Sequence, residues 1–296
     1  MRPTADPDFD PPFVVERPAR QGVPFVFNVP HAGLVYPDAF VAGSRLDRLT
    51  LRRSEDAFVD GLFAGVVALG APLMVARFPR AYLDVNREPY ELDPRMFDGR
   101  LPAYANIRSM RVAGGLGTIP RIVADGQEIY RGRLPVAEAL GRVERLYKPY
   151  HRALHELMQA TFRAFGHAIL IDCHSMPSPA GSREGASGAD MVLGDRYGTS
   201  CSGSLTDLVD AALRARGYVV ARNKPYAGGF ITEHHGEPTL GRHALQVELN
   251  RALYMDERTM TRRAGFERLA RDLQEAFAAV MAEIGEDLGP QRIAAE

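Results

Sequence analysis

The chain has few cysteines and no long apolar run, and each shortage excludes a class of protein. Its 296 residues include two cysteines, Cys173 and Cys201, too few for a disulfide framework or a four-thiolate metal site. No stretch of about 18 apolar residues is present, so no membrane-spanning helix is expected. The first residues are acidic and proline-rich rather than apolar, so no signal peptide is expected. We therefore expect a reducing, cytoplasmic location.

An excess of charge of either sign is also missing. The 36 Lys and Arg residues balance 37 Asp and Glu residues, which leaves a net charge of −1. A near-neutral chain has no long-range field to attract DNA, RNA or anionic lipid, so we expect neither a nucleic-acid nor a membrane partner. The hydrophobic content of 46% is sufficient for a core, which excludes global disorder.

Short apolar runs alternate with helical periodicities along the chain, and this alternation predicts an α/β protein with a parallel or mixed central sheet. Helices are predicted where apolar residues recur at spacings of three and four, and Pro149 is expected to kink or break one of them. The predicted helices span residues 46–69, 136–165, 203–216 and 260–284. The predicted strands span residues 24–29, 71–76, 81–85, 168–171, 191–193, 218–221 and 244–249.

The remaining segments show little periodicity. Residues 1–21 are rich in proline and charge, and we expect them to form a loose, flexible segment outside the domain. Residues 89–135 and 177–189 are rich in glycine, proline or serine and are predicted to be loops, the second of them mobile. No linker or internal repeat divides the rest, so residues 22–296 are predicted to form one domain.

The predicted strands carry polar side chains at or just beyond their carboxyl ends. These side chains are, in chain order, His31, Asn86, Arg87, His174 and Glu248. Ligands in open α/β sheets bind beyond the carboxyl ends of the strands. We therefore expect the functional site at one edge of the sheet.

His31 and His174 are candidate ligands of a zinc ion, because neutral imidazole binds Zn²⁺ well. A catalytic zinc takes about three protein ligands and leaves a position open for water. The carboxylates of Glu55 and Asp56 are the leading candidates for the third ligand, at the start of a predicted helix that Ser54 could cap. The residues alone leave both carboxylates open.

Two other polar residues have two interpretations each. Asp172, at the end of a predicted strand, could orient a metal-ligating imidazole or accept hydrogen bonds from loop amides. Arg87 could hold a substrate carboxylate with its planar fork or form a salt bridge with Asp84, Glu88 or Glu91.

Glu248 is flanked by Val247 and Leu249 in a predicted strand. A carboxylate buried there must be paired, protonated or functional, and the functional interpretation is a general base that activates water. His234 and His235, in a glycine-flanked loop, either reach a substrate or are solvated.

Three further patterns support weaker hypotheses. Residues 114–118, GGLGT, resemble a phosphate loop but lack the following Lys and Ser or Thr. Cys173 could be a thiol nucleophile, yet the alternation of strand side chains directs it away from its two polar neighbours. His151 and His155 have i, i+4 spacing but lack the Glu of the metalloprotease helix motif.

Six segments follow one another in a specific order: FNVPHAGLVYP, SEDAFVDGLF, ARFPRAYLDVNREP, LIDCHSMPS, GGFITEHHG and QVELNRALYMDE. Together they resemble the N-formylglutamate amidohydrolase family over roughly residues 22–280. Members of that family cleave N-formyl-L-glutamate to formate and glutamate in one route of histidine degradation. Their fold is similar to that of the zinc-dependent exopeptidases, which implies a single-domain, three-layer sandwich around a mixed β-sheet.

The resemblance also implies a ligand set. His31 and His174 match the family's zinc ligands, and the carboxylate ligand falls in SEDAFVD, with Asp56 aligned first and Glu55 second. Zinc carboxypeptidases carry this carboxylate three residues after the first histidine, where the present chain has Leu34. The family pattern therefore departs from the carboxypeptidase pattern at this ligand.

The remaining site residues are implied in the same way. Asn86 and Arg87 look like the Asn-Arg pair with which zinc carboxypeptidases and aspartoacylases hold a substrate carboxylate. Glu248 is similar to their catalytic glutamate, and His234 is a further candidate for substrate binding.

The expected function is hydrolysis of the formamide bond of N-formyl-L-glutamate, with one Zn²⁺ or another divalent metal per chain and a small N-acyl amino acid as partner. One alternative is a deacylase or carboxypeptidase-like hydrolase of another N-acyl amino acid or short peptide. Another is a non-catalytic protein that binds a metal or a small acid.

Overall fold

The computed structural model describes residues 8–178 and 188–287. The predictions for residues 1–7 and 179–187 lie outside the described residues. No helix in the described part of the chain is long and apolar enough to cross a membrane.

A seven-stranded mixed sheet forms the centre of the structure. Its strands, in chain order, are β1 Phe13–Glu16, β2 Phe25–Val29, β3 Leu73–Ala76, β4 Ala168–Met176, β5 Met191–Gly194, β6 Val220–Arg222 and β7 Arg242–Asn250. Across the sheet they lie in the order β1-β3-β2-β4-β7-β5-β6. The four central strands β3, β2, β4 and β7 are parallel, whereas β1 pairs antiparallel with β3 and β5 pairs antiparallel with β7.

Helices cover both faces of this sheet. They are α1 Asp38–Gly43, α2 Arg48–Arg52, α3 Val59–Phe63, α4 Met110–Ala113, α5 Val136–Arg142, α6 Lys148–Phe165, α7 Gly203–Arg214, α8 Phe230–His235 and α9 Gly265–Asp287. Helices α3, α7 and α9 share one apolar core with one face of the sheet, while α5 and α6 share a second core with the other face. The predicted three-layer α/β sandwich with a mixed sheet is confirmed.

Short elements complete the loops. Two-residue ladders pair Phe97–Asp98 with Leu134–Pro135, Ile122–Val123 with Gln127–Glu128, and Met255–Asp256 with Thr261–Arg262. Single 3₁₀ turns lie at Ala64–Val67, Pro94–Met96, Ala124–Gly126, Pro238–Leu240 and Arg251–Leu253.

On the α6 side of the sheet, apolar side chains are replaced by polar ones toward the carboxyl ends of the strands. In β4, Ala168 and Leu170 pack in the core shared with α6, and Asp172 and His174 follow on the same face because strand side chains alternate. Strand β7 repeats the pattern and places Glu248 opposite His174 in the parallel ladder. The sheet therefore brings buried polar groups together at one edge.

The helix predicted over residues 46–69 is wrong as a single element. The chain forms α2, then a loop that contains residues 55–56, then α3 and a 3₁₀ turn. The loop interrupts the helix because the backbone N–H of Asp56 donates to the carbonyl of His31 at 3.0 Å instead of to a helical carbonyl.

The strand predicted over residues 81–85 is also wrong, since this segment is a series of buried turns. Two of its backbone N–H groups donate to the carbonyl of Pro79, and that of Asp84 donates to the carbonyl of Thr118 at 2.9 Å. These partners satisfy the backbone without a neighbouring strand, so the apolar run is buried in another form. Residues 86–87 consequently follow a turn.

Residues 8–21 are not the loose segment that the sequence predicts. Strand β1 forms the edge of the sheet beside β3. Phe9 is fully buried and contacts the rings of Phe78 and Tyr82. The strand is hard to recognise in the sequence because it has only four residues, and because it lies at the edge of the sheet none of them is fully buried.

The irregularity predicted within residues 136–165 takes the form of a π turn just before Pro149, while the backbone keeps helical dihedral angles. A π turn, Val143–Tyr147, separates α5 from α6, and Pro149 stands in the first turn of α6. Proline has no N–H to donate to the preceding turn, which therefore widens.

Candidate active site

Two histidines and one carboxylate converge at the carboxyl edge of the sheet. His31 follows β2, His174 lies in β4, and Asp56 lies in the loop before α3. The Nδ1 atoms of His31 and His174 are 3.2 and 2.9 Å from Oδ2 of Asp56. One ligand atom from each residue lies within 4.8 Å of the others, so the three groups form a possible metal site.

Asp56 presents one oxygen to the imidazoles because protein groups hold the other. Its Oδ1 accepts hydrogen bonds from the hydroxyl of Ser175 at 3.0 Å and from the guanidinium of Arg251 at 3.3 Å. All three side chains are buried. The carboxylate is thereby fixed with Oδ2 directed at the two rings.

Glu55 does not face the imidazoles. Its carboxylate accepts a hydrogen bond from the Tyr36 hydroxyl at 2.6 Å and pairs with Arg52 at 3.1 Å. Ser54, the expected helix cap, donates instead to a backbone carbonyl of the preceding turn. Of the two adjacent carboxylates that the sequence leaves open, the structure places Asp56 in the cluster.

A second carboxylate holds each imidazole through its other nitrogen. Nε2 of His31 is 2.8 Å from Oδ1 of Asp84, and Nε2 of His174 is 2.8 Å from Oδ2 of Asp172. Asn28 in turn donates to Oδ1 of Asp172 at 2.8 Å. A carboxylate on Nε2 fixes the ring and its tautomer and leaves Nδ1 available to a metal. Asp172 thus has the contact expected of an orienting acceptor, and Asp84 has the same contact with the other ring.

Burial and charge act in opposite directions on this cluster. Burial would raise the pKa of Asp56, but the hydrogen bonds with His174 and His31 outweigh it and hold that pKa well below its usual range. Burial would lower the pKa of His174, yet Asp172 and Asp56 raise it well above its usual value. The cluster therefore favours a positive charge at its centre, which a metal ion supplies as well as a proton does.

Glu248 is the ionisable group next to this cluster. It is 7% exposed, and the amide of Gln246 donates to its Oε1 at 2.9 Å. Burial raises the pKa of Glu248 to about 7, with His174 opposing the rise and Asp56 adding to it. A carboxyl group that titrates near neutrality is able to accept a proton and to return it.

A cavity of about 580 Å³ opens beside His31, His174 and Glu248. Two arginines in its wall also support the histidine–carboxylate cluster. Arg80 donates through Nε to Asp84 at 3.0 Å, and Arg251 donates to Asp56. The arginines that line the cavity are Arg53, Arg80, Arg87, Arg111 and Arg251. A small cavity with so many guanidinium groups fits an anionic ligand.

Asn86 and Arg87 line this cavity and also contact protein groups. Nε of Arg87 donates to the carbonyl of Leu116 at 2.9 Å, and Asp84 is an ion-pair partner at 3.8 Å. Oδ1 of Asn86 accepts a hydrogen bond from the N–H of Ile231 at 2.8 Å. The two interpretations of Arg87 are therefore compatible, because it pairs with an acid and still faces the cavity.

His234 does not line the central cavity, contrary to its predicted place in the substrate site. It is exposed on α8 and lines a separate cavity of about 370 Å³ with His155 and His235. Helix α8 directs the ring of His234 toward Phe230, with centroids 5.1 Å apart, rather than toward the histidine–carboxylate cluster. Cys173 points into the opposite core, as strand alternation predicts.

Several residues of the site escaped prediction as functional groups. They are Arg53, Arg80, Asp84, Arg111 and Arg251. Arg80 and Asp84 belong to ARFPRAYLDVNREP and Arg251 to QVELNRALYMDE, so the segments that carry the family resemblance already contain them. A signal was therefore present for these three residues, whereas Arg53 and Arg111 lie outside the six segments.

The fold and the site together define a class: an α/β sandwich with a histidine–carboxylate cluster that could hold a metal ion at the carboxyl edge of its sheet, open to an arginine-lined cavity. A family model described as N-formylglutamate amidohydrolase matches residues 23–255. The chain belongs to the N-formylglutamate amidohydrolase family.

Named relatives match most of the chain. N-formylglutamate deformylase of Pseudomonas aeruginosa is 31% identical, over 91% of this chain and 94% of the relative. N-formylglutamate deformylase of Pseudomonas putida is 29% identical, over 79% of this chain and 83% of the relative.

Solved structures show the same fold. The crystal structure of N-formylglutamate amidohydrolase from Ralstonia eutropha JMP134 has a TM-score of 0.87 at 37% identity, and the match covers 93% of this chain and 99% of that one. A gene product of Agrobacterium tumefaciens has a TM-score of 0.67 at 18% identity, with 92% and 96% of the two chains covered. The second likeness shows the fold alone.

Proposed function

We propose that this protein hydrolyses the formamide bond of N-formyl-L-glutamate to formate and glutamate, with zinc as its metal. Family membership and the relatives named N-formylglutamate deformylase support the reaction and the substrate. The observation that carries the proposal is the convergence of His31, His174 and Asp56 beside Glu248 in an arginine-lined cavity.

The donor set fits zinc. Two imidazoles and one carboxylate are a typical ligand set of catalytic zinc sites, whereas magnesium prefers oxygen ligands alone. The contacts of Asp84 and Asp172 with the Nε2 atoms keep both Nδ1 atoms available for this role. A zinc ion bound there lowers the pKa of a water molecule and polarises the formyl carbonyl.

Glu248 is assigned the proton transfers. Gln246 fixes one carboxylate oxygen and so orients the group. Its pKa of about 7, raised by burial, matches a base that takes a proton from the attacking water at neutral pH. The same carboxyl group then returns the proton to the departing amine of glutamate.

Arg80 is the cation assigned to the negative charge that develops on the formyl oxygen. Asp84 holds its Nε and so orients the guanidinium in the cavity wall. Burial would lower the pKa of Arg80, but Asp84, Asp56 and Glu248 raise it, which keeps the group charged. A donor fixed before the reaction contributes about 3 kcal/mol to stabilisation of such an oxyanion.

Arg87 is assigned the α-carboxylate of the substrate, and Asn86 supports this part of the wall. The amide nitrogen of Asn86 lies 3.3 Å from Nε2 of His174, and its carbonyl oxygen holds the N–H of Ile231. A Cβ at Gly229 would lie 2.3 Å from that oxygen, so a residue with a side chain does not fit there. Asn86 thus connects the metal site to α8.

Formate release from N-formyl-L-glutamate, measured together with zinc content, tests the proposal. We expect about one zinc per chain and faster hydrolysis of N-formyl-L-glutamate than of N-acetyl-L-glutamate, N-formyl-L-leucine or short peptides. Glu248→Gln is the control for contaminating activity. A preference for another acyl group or a peptide would favour the deacylase or carboxypeptidase alternative, and zinc binding without hydrolysis of any substrate would favour a non-catalytic binding protein.

The place of this reaction in histidine degradation and the cytoplasmic location remain predictions of the same proposal. Both products, formate and glutamate, are small and soluble, so neither requires a membrane or macromolecular partner.

A further inference from the structure

The glycine-rich segment 114–118 joins two arginines of the central cavity. The backbone N–H of Leu116 donates to the carbonyl of Arg111 at 2.8 Å, and the carbonyl of Leu116 accepts a hydrogen bond from Nε of Arg87 at 2.9 Å. All three residues line the cavity. Leu116 therefore holds the backbone of Arg111 and the guanidinium of Arg87 on the same wall of the cavity.

The backbone of residues 114–118 passes so close to Glu91 that it requires a glycine, Gly117, at the point of contact. A Cβ at Gly117 would lie 2.2 Å from the carbonyl oxygen of Glu91, so no larger residue fits. The next residue, Thr118, donates its backbone N–H to that same oxygen at 2.9 Å. The segment is thus tied to the residue that faces Arg111.

Glu91 attracts Arg111 without accepting a normal hydrogen bond from it. Oε2 of Glu91 lies 3.8 Å from Nη1 of Arg111, beyond hydrogen-bond distance. That oxygen is buried and has no hydrogen-bond partner among the described residues. The side chain of Arg111 is 36% exposed, so it is held by charge while its donors remain accessible from the cavity.

Arg87 and Arg111 are close enough to affect each other. Burial lowers the pKa of Arg87, Asp84 raises it, and the positive charges of Arg80 and Arg111 lower it further. Like charges held on one wall repel each other, and an anion between or beside them relieves the repulsion. Two of the other wall arginines are less suited to this role, because Arg80 donates to Asp84 and Arg251 donates to Asp56.

We propose that Arg111 binds the side-chain carboxylate of the substrate while Arg87 binds its α-carboxylate, so that the pair selects N-acyl derivatives of acidic amino acids. This inference rests on the proposed hydrolysis for its substrate. A glutamate skeleton carries two carboxylates a short distance apart, and the cavity wall offers two guanidinium groups near enough for the charge of one to affect the other. Glutamine offers only one of the two charges, and it leaves Arg111 without an ionic partner from the substrate.

Substrates that lack one charge test the assignment. Arg111→Met should lower kcat/KM for N-formyl-L-glutamate by about 30-fold, the lower end for loss of a charge pair because the residue is partly exposed. It should leave kcat/KM for N-formyl-L-glutamine unchanged. Arg87→Met should show the converse pattern and spare N-formyl-L-isoglutamine, whose α-carboxylate is an amide. Both variants should retain zinc.

Arg108→Met is the matched control, because it removes the same charge from an exposed position three residues before Arg111. Arg108→Met should leave kcat/KM unchanged for N-formyl-L-glutamate, N-formyl-L-glutamine and N-formyl-L-isoglutamine. Equal losses on N-formyl-L-glutamate and N-formyl-L-glutamine in Arg111→Met, or loss of selectivity in Arg53→Met instead, would overturn the assignment.

Calorimetric binding of L-glutamate and L-glutamine asks the same question without turnover. A preference for glutamate that Arg111→Met abolishes, in a protein that releases no formate, would uphold this inference and refute the proposed hydrolysis. Formate release from N-formyl-L-glutamate with no dependence on Arg111 would uphold the hydrolysis and refute the inference.

Discussion

Two histidine pairs in this molecule have the same spacing and different surroundings. The ring centroids of His31 and His174 are 4.9 Å apart, and so are those of His234 and His235. Carboxylates contact both ring nitrogens of His31 and of His174. The second pair instead contacts other rings, among them that of His151, whose centroid lies 6.1 Å from each.

The pKa values of His174 and His235 shift in opposite directions although both side chains are buried. His174 is 3% exposed and His235 is 6% exposed. Burial disfavours the charged form of both, yet Asp172 and Asp56 raise the pKa of His174 well above its usual value. At His235 burial and the charge of His151 act together and hold the pKa well below its usual value. Adjacent imidazoles become a metal site when carboxylates fix the rings and attract a cation.

The largest expected effect separates the two pairs directly. His174→Ala should lose the bound zinc and reduce formate release to background, because a three-ligand site that lacks one ligand holds neither metal nor water in place. His235→Ala should keep about one zinc per chain. Metal analysis and formate release are measured on both variants. Zinc retained by His174→Ala, or lost from His235→Ala, would reverse the assignment of the two pairs.

Glu248 lies beside the first pair and is assigned the proton transfers there, although it does not belong to the proposed ligand set. Glu248→Gln keeps the size of the side chain but removes its basicity, so kcat should fall by about 10²–10⁴. Zinc content should equal that of the unaltered protein. Loss of zinc would make Glu248 a ligand, and a nearly unchanged kcat would transfer the base role to another group.

Local patterns were sufficient to predict much of the fold. Strands β4 and β7 are apolar runs at the right positions, and their carboxyl ends carry the polar residues that the site uses. Patterns failed where tertiary contacts decide the backbone. Residues 81–85 are as apolar as a strand but satisfy their N–H groups in turns, and Asp56 breaks a helical pattern because its N–H bonds to His31.

The residues of the site also include some that local patterns could predict and others that depend on tertiary contacts. His31 and His174 could be predicted because each stands near the carboxyl end of a central strand. The roles of Asp84 and Arg80 could not, since they depend on how a turn after β3 folds back. The place of His234 beside a separate cavity could not be predicted, because adjacency to glycines does not tell which side of α8 faces the central cavity.

A smaller effect is expected when only the support of a ring is weakened. Asp172→Asn keeps the shape of the residue that contacts Nε2 of His174 but removes its charge. Loss of such an outer contact typically weakens metal binding by about 10–100-fold. Competition with a chelator measures the affinity, and activity at saturating zinc should recover most of its value. An unchanged zinc affinity would show that the carboxylate does not support the ring electrostatically.

The smallest expected effect concerns the second pair and its neighbour His151. Burial lowers the pKa of His151 to about 4, and His234 contributes in the same direction. An unfolded histidine titrates near pH ~6.5, so below that pH the unfolded chain binds a proton that the folded chain does not, and stability falls as pH falls. His151→Phe removes this titration. Its lost hydrogen bond to the carbonyl of Val85 is a constant cost at every pH.

Urea titrations at about pH 7.5 and about pH 5.5 measure the free energy of unfolding of the unaltered protein and of His151→Phe. On acidification the unaltered protein should lose about 1 kcal/mol more of this free energy than the variant does. The histidine–carboxylate cluster is present in the unaltered protein and in His151→Phe, so its own titration cancels when the two are compared. A difference that stays constant with pH would mean that His151 is protonated equally easily in the folded and unfolded chains. In that case the contrast between carboxylate-supported and unsupported rings would fail at His151, the neighbour of the second pair.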